Sequence, residues 1–158
     1  MKKVLFTAFK GTSSELLVQS SNYTTLLLPN NKKKDAEKLF SLLQKENFDY
    51  IISFGQRANI KNKVHIETTG RNDGNSISTD VDVEYLRDLF MRNGIPAKVS
   101  HNSGTSYCNS IYWNGLTCIA KRKLNTKMVF IHIPFSKNIE NMKCFRESIF
   151  QTIKALTE

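Results

Sequence analysis

Apolar runs and amphipathic stretches alternate along this chain, with turn residues between them. Residues 2–9 read as a core strand. Thr12-Ser13-Ser14-Glu15 offers a hydroxyl N-cap and an acidic first turn before Leu16-Leu17-Val18. Thr24 to Leu28 is a second strand, ended by Pro29-Asn30. Lys33 to Glu46 carries apolar residues at 36, 39, 40, 42 and 43, which is a helical stripe. Asp49 to Phe54 is a third strand running into Gly55-Gln56-Arg57, and Val64 to Glu67 is short and extended. Gly70 to Gly74 reads as a loop. Val83 to Asn93 is helical, with Gly94 as its stop signal. Ile95 to Ser100 is a strand, Tyr107 to about Ala120 a helix packed by Ile111, Tyr112 and Leu116, and Lys127 to Ile133 the last central strand. A C-terminal helix runs from about Ile139 to Leu156.

Strands that alternate with helices, and that are apolar on both faces, predict an α/β fold. The expected architecture is a three-layer α/β/α sandwich around a mostly parallel, mixed central sheet. In such sheets sites form beyond the carboxyl ends of the strands. Phe9-Lys10-Gly11, Gly55-Gln56-Arg57, Ser103-Gly104 and His132 all fall at or just after strand ends, so the architecture predicts that these loops converge.

Composition narrows the picture. The 158 residues suit one domain, 1–158, with a sizeable core, and 40% hydrophobic with 23% charged residues is ordinary for a globular protein. No apolar run approaches the roughly 20 residues that span a bilayer, so no membrane role is expected. The start, Met1 to Phe9, has too short an apolar run for a signal peptide and reads as a strand. Cys108, Cys118 and Cys144 are odd in number and lack metal-site spacing, which points to reduced thiols in a cytoplasm. The net charge of +9, carried in part by Lys32-Lys33-Lys34 and Lys121-Arg122-Lys123, allows an acidic partner. A nucleic-acid partner is disfavoured, because no recognition fold or interleaved aromatic platform accompanies the charge.

The candidate chemistry centres on Cys108. Free cysteines are usually buried and inert, and Cys118 and Cys144 sit inside helical patterns that fit this. Cys108 differs: the Ser103-Gly104 turn precedes it and it opens a helix. A thiol there lies near the positive end of the helix dipole, which favours thiolate, and the first backbone N–H groups could form an oxyanion hole. His132 ends the strand Val129-Phe130-Ile131-His132, with Pro134 stopping it. A Cys and a His at the ends of neighbouring elements form a minimal nucleophile and base. His65, in a segment read as an edge strand, and His101, just before the turn, are the rival imidazoles.

Several segments, taken in order, resemble the pyroglutamyl peptidase I family, the pyrrolidone-carboxyl peptidases. Lys3 to Phe9 is similar to the family's K-V-L-V-T-G-F, and Leu28-Pro29 to its L-P. Asp49 to Gly55 with Arg57 is similar to P-D-x-x-x-x-x-G with G-R behind it. Arg92 to Ser100 resembles R-G-I-P-A-x-x-S. Ser103 to Asn109 resembles A-G-x-Y-x-C-N, and Phe130 to Pro134 resembles F-I-H-V-P. The resemblance implies an α/β/α cysteine peptidase with Cys108 as nucleophile and His132 as general base and later acid. It further implies Phe9, Gln56, Arg57 and Arg71 as substrate-binding residues, and a peptide with a blocked N-terminus as substrate. No metal or organic cofactor is implied. Homo-oligomers, often tetramers, are a family habit.

The chain also departs from the pattern. Lys10-Gly11-Thr12-Ser13-Ser14 replaces the family's E-P-F-G-G, and the second ring-binding phenylalanine is gone. The family's third catalytic residue is a glutamate in E-R-x-A-x-N. Aligning on the strand puts Asn62 or Lys63 at that place. Glu67 falls on the family's asparagine and is not given the role, so a Cys–His dyad without an orienting acid is expected. The A-R-I-P-D-N loop is cut to Gly70 to Gly74, with Arg71 and Asp73 matching its Arg and Asp. The implied activity is removal of an N-terminal pyroglutamyl residue through a Cys108 thioester, with altered specificity left open. The alternative is an inactive member that binds a peptide end or serves as a scaffold. The two differ in the state of Cys108: chemistry calls for a thiol of low pKa, and a retired site for a sluggish one.

Overall fold

A computed structural model describes all residues, 1–158. The main sheet has six strands: β1 (Val4–Phe9), β2 (Thr24–Leu28), β3 (Tyr50–Arg57), β4 (Val64–Glu67), β7 (Ala97–Ser100) and β8 (Lys127–Pro134). Their order is β2-β1-β3-β8-β4-β7. All pairings are parallel except β4 with β8, which is antiparallel. The five helices are α1 (Ser13–Val18), α2 (Lys32–Lys45), α3 (Val83–Arg92), α4 (Tyr107–Arg122) and α5 (Met142–Thr157). The expected α/β sandwich with a mostly parallel sheet is what the chain forms. No helix is long and apolar enough to cross a membrane.

Two cores sandwich the sheet. One face packs Leu17 and Val18 of α1, Leu86 and Phe90 of α3, and Phe145, Ile149 and Ile153 of α5 over Phe6, Ile52, Phe54, Val129 and Ile131. The other packs Leu39 and Leu43 of α2 and Ile111, Tyr112 and Leu116 of α4 over Leu5, Phe9, Ile51, Met128 and Phe130. Strand alternation sends neighbours in sequence to opposite layers, so central strands are apolar at nearly every position. Each large side chain so buried is worth about 1.5–3 kcal/mol relative to exposure. The polar pair Thr7 and Ser53 is tolerated because Thr7 Oγ1 donates to Ser53 Oγ at 2.7 Å.

Two expectations change. β4 lies between β8 and β7, so His65 is on an interior strand rather than an edge. Four residues were too few to show that the strand is flanked on both sides. The stretch read as a loop at Gly70 to Gly74 is instead a hairpin, β5 (Thr69–Asn72) and β6 (Asn75–Ser78). Asp73 and Gly74 turn it with φ of 47° and 78°, the positive pair that a two-residue hairpin favours. The strands are polar and short, so the alternation that marks a strand was absent, and only Asp73-Gly74 signalled it.

The hairpin rests on α4 through Gly70, where a methyl group would stand 2.8 Å from Trp113 N and 2.9 Å from its Cα. Backbone cannot yield as a side chain does. Gly70→Ala is therefore expected to cost about 1–3 kcal/mol, read as a lower urea midpoint. An unchanged midpoint would show that the hairpin does not depend on this close approach.

Candidate active site

The functional residues gather where β3 and β8 end. The register pairs Gly55 with His132, so the two lie side by side on the α2/α4 face. Cys108 is the second residue of α4, and its thiol descends onto this spot. A Cβ on Gly55 would lie 2.5 Å from Cys108 Sγ and 2.7 Å from Phe130 Cζ. Glycine at 55 is thus what lets the thiol settle beside His132, with the Phe130 ring beneath. Phe130 and His132 pack ring against ring with centroids 4.9 Å apart.

The helix that delivers the thiol is built differently from the others. Thr12, Asn31, Asp82 and Asn141 each cap their helix through a side chain. Ser106, at the start of α4, makes no side-chain cap bond, and no acidic residue occupies the first turn. The first N–H groups of α4 are therefore left for another acceptor, which suits an oxyanion. The loop before them is firmly held. Ser103 Oγ donates to Thr69 O at 2.9 Å, and Asn109 Nδ2 donates to Arg71 O at 2.9 Å.

His132 is buried, and its Nδ1 lies 2.8 Å from Glu67 Oε2, a carboxylate with no solvent exposure. A carboxylate only accepts, so Nδ1 carries the proton of this bond, and Nε2 is the ring nitrogen turned away from Glu67. This corrects the expectation of a dyad. The acid is Glu67 at the end of β4, the position that falls on the family's asparagine, and not Asn62 or Lys63, which precede the strand. Asn62 sits at a bend with φ of 50° and accepts from Glu140 N. β4 runs against β8 and pairs Glu67 with Phe130 and His65 with His132, so Glu67 shares the face of His132. The available signal was a lone carboxylate in the apolar strand Val64-His65-Ile66-Glu67, since such a charge is rarely buried without a partner.

The other singled-out residues lie at the neighbouring strand ends and loops. Arg57 Nη1 donates to Glu67 Oε2 at 3.0 Å and Nη2 to Asn102 O at 2.8 Å. Gln56 Oε1 accepts from Ser13 N at 3.0 Å, fixing the start of α1. Arg71 donates to His101 O through Nη1. Phe9 is a core residue, 3% exposed. His101 is exposed, its Nδ1 beside Thr68 Oγ1 at 2.8 Å. The Arg71 side of the loop borders a cavity of about 490 Å³ with Lys32, Asn102, Ser106, Asn109 and Trp113. A larger hollow, about 670 Å³, lies at the opposite end of the sheet by Met1, Tyr23 and Asp49, away from the thiol.

Burial pushes the Cys108 thiol up to about 12; the Arg57 guanidinium pulls it down only in part, and Glu67 pushes it further up. This reverses the expectation of a thiolate set by the helix dipole. Desolvation over Gly55 and Phe130 outweighs the helix end. The thiol is neutral at rest, and a base must take its proton during attack.

Comparison with known proteins fits this geometry. A family model described as pyroglutamyl peptidase matches residues 58–149, a stretch containing Glu67, Cys108 and His132. The pyrrolidone-carboxylate peptidase of Thermosipho melanesiensis is 29% identical over 86% of this chain and 84% of its own. That of Brachyspira hyodysenteriae is 32% identical over 70% of this chain and 65% of its own. Among solved structures, the pyroglutamyl peptidase I from Bacillus amyloliquefaciens superposes with a TM-score of 0.86 at 20% identity, covering 99% of this chain and 96% of that one. The pyrrolidone carboxyl peptidase from Thermococcus litoralis gives 0.83 at 19% identity, covering 99% and 93%.

His132 lies beside Gly55, over which the protonated thiol sits, and is the candidate base for it, so its removal should leave Cys108 inert near neutrality. In His132→Ala, alkylation of Cys108 by iodoacetamide is expected to be much slower than in the parent near pH 7 and to speed up only at alkaline pH, with exposed Cys144 as internal standard. A mutant thiol as reactive at pH 7 as in the parent would contradict this.

Proposed function

The chain belongs to the pyroglutamyl peptidase family, and from that premise we propose that it is a cysteine peptidase removing an N-terminal pyroglutamyl residue from peptides. The observation that carries the reading is the Glu67–His132 hydrogen bond beside a thiol seated over Gly55. Cys108 is the nucleophile, His132 the general base and acid, and Glu67 the group that fixes the imidazole.

As the thiol attacks the pyroglutamyl carbonyl carbon, its proton passes to His132 Nε2 and an S–C bond forms. The carbonyl oxygen takes the negative charge and is received by the N–H groups at the start of α4. Glu67 steadies the imidazolium that results. The C–N bond then breaks, His132 protonates the leaving amine, and the shortened peptide departs. Water attacks the thioester, giving its proton to His132 while the sulfur leaves and regains a proton. Pyroglutamate is released and the resting site is restored.

The reading of an inactive binding protein rested on a missing acid and a pared substrate loop. Glu67 beside His132 supplies the acid. With the thiol pushed up to about 12 rather than lowered, activity here depends on His132 acting as base and not on a standing thiolate. The changed loop Lys10 to Ser14 bears on the lactam ring, and its effect belongs in KM. Three unpaired cysteines support a reducing, cytoplasmic setting.

Hydrolysis of a fluorogenic pyroglutamyl amide under reducing conditions tests the reading. Turnover is expected, and Cys108→Ala should abolish it; no turnover in the parent protein, or turnover that survives in the mutant, would overturn the assignment. Glu67→Gln is expected to keep the fold and lower kcat by about 10²–10⁴-fold, because the imidazole loses both its tautomer and its counter-charge. A parental rate in Glu67→Gln would remove Glu67 from the mechanism.

A further inference from the structure

Arg57 is drawn by its resemblance toward substrate binding, but both its terminal nitrogens already bond within the protein. Nη1 lies 3.0 Å from the same Glu67 oxygen, Oε2, that receives His132 at 2.8 Å. Nη2 reaches Asn102 O at 2.8 Å, in the loop that leads to Cys108. The side chain is about 29% exposed, whereas Glu67 is wholly buried. Glu67 Oε1 is buried without a partner, so Oε2 alone carries the interactions of this carboxylate. One guanidinium therefore joins the base's partner to the nucleophile's loop.

We propose that Arg57 is a positioning residue that shares the Glu67 carboxylate with His132 and thereby fixes the acid, the base and the Cys108 loop in one arrangement. The inference rests on the triad reading above. It also assigns Arg57 a charge role. A fixed cation on Glu67 Oε2 draws off part of the field that this carboxylate exerts on the His132 ring. The groups facing this centre are few. β3 contributes Arg57. β4 contributes Glu67 and His65, the latter directly across from His132 in the register. α4 contributes Cys108 and Tyr112, whose hydroxyl donates to Glu67 O at 2.8 Å. Lys63 and Lys98 act on His65, which burial and these cations together with Arg57 hold on the neutral side. His65 therefore adds no competing charge at neutral pH, and Arg57 is the cation that sets the balance.

Arg57→Gln and Arg57→Lys separate the roles. In Arg57→Gln the Glu67 charge falls wholly on His132. The acid limb of the kcat/KM profile for a pyroglutamyl amide should move to higher pH, by about one unit. At the plateau kcat should fall about 10–100-fold with KM little changed, because the loop loses its tether. Arg57→Lys restores the charge but not the fork, so its limb should return to the parental position while kcat stays lowered. A raised KM with the limb unmoved would make Arg57 a substrate contact. A lower melting temperature alone, with the limb unmoved, would make it structural; either result overturns the proposal. The His132 ring titration, followed by NMR and assigned with His132→Asn, needs no substrate. It should show the same upward displacement in Arg57→Gln, so the proposal stands or falls there even if the amide proves not to be a substrate.

Discussion

A carboxylate buried to zero exposure is the constraint around which the rest of this protein is arranged. Glu67 cannot be solvated by water, so its charge must be met from within. His132 meets it from β8 and Arg57 from the end of β3, both on one oxygen. The antiparallel course of β4 is what brings that oxygen under His132, since it pairs Glu67 with Phe130 and leaves the next outward residue of the same face beside the acid. The sheet's one reversed pairing is therefore also the pairing that builds the site.

The second constraint is the space over Gly55. A thiol at a helix start is usually discussed in terms of the dipole, yet here packing decides its state. The approach of Sγ to Gly55 and Phe130 removes water and pushes the thiol to about 12. Such a nucleophile works through a base rather than as a standing thiolate. That places the demand on His132, whose Nδ1 is held by Glu67 Oε2, the oxygen that Arg57 also bonds. The uncapped start of α4 completes the arrangement, because donors aimed at a developing oxyanion are of use only if no side chain already occupies them.

Much of this was legible in the residues. The apolar strands, the caps at Thr12 and the stop at Gly94 fixed most elements to within a few residues, because burial on both faces leaves a continuous apolar signature. Cys108 and His132 stood out through their place at element ends. Three features did not. The Thr69–Ser78 hairpin is polar and short, so its strands lacked alternation. β4 could not be seen as internal from four residues. Glu67 was passed over because alignment by strand follows position in sequence, whereas the acid's function depends on which face it occupies and which way its strand runs.

The central claim is that Glu67 holds His132 with its proton on Nδ1 and its Nε2 free for the thiol. The most direct measurement is the pair of ring ¹⁵N shifts of His132 in the unliganded protein at neutral pH. The account predicts a protonated Nδ1, protected from exchange, and a bare Nε2. A bare Nδ1 with the proton on Nε2 would contradict it, because that imidazole could neither bond to Glu67 nor accept the proton of Cys108.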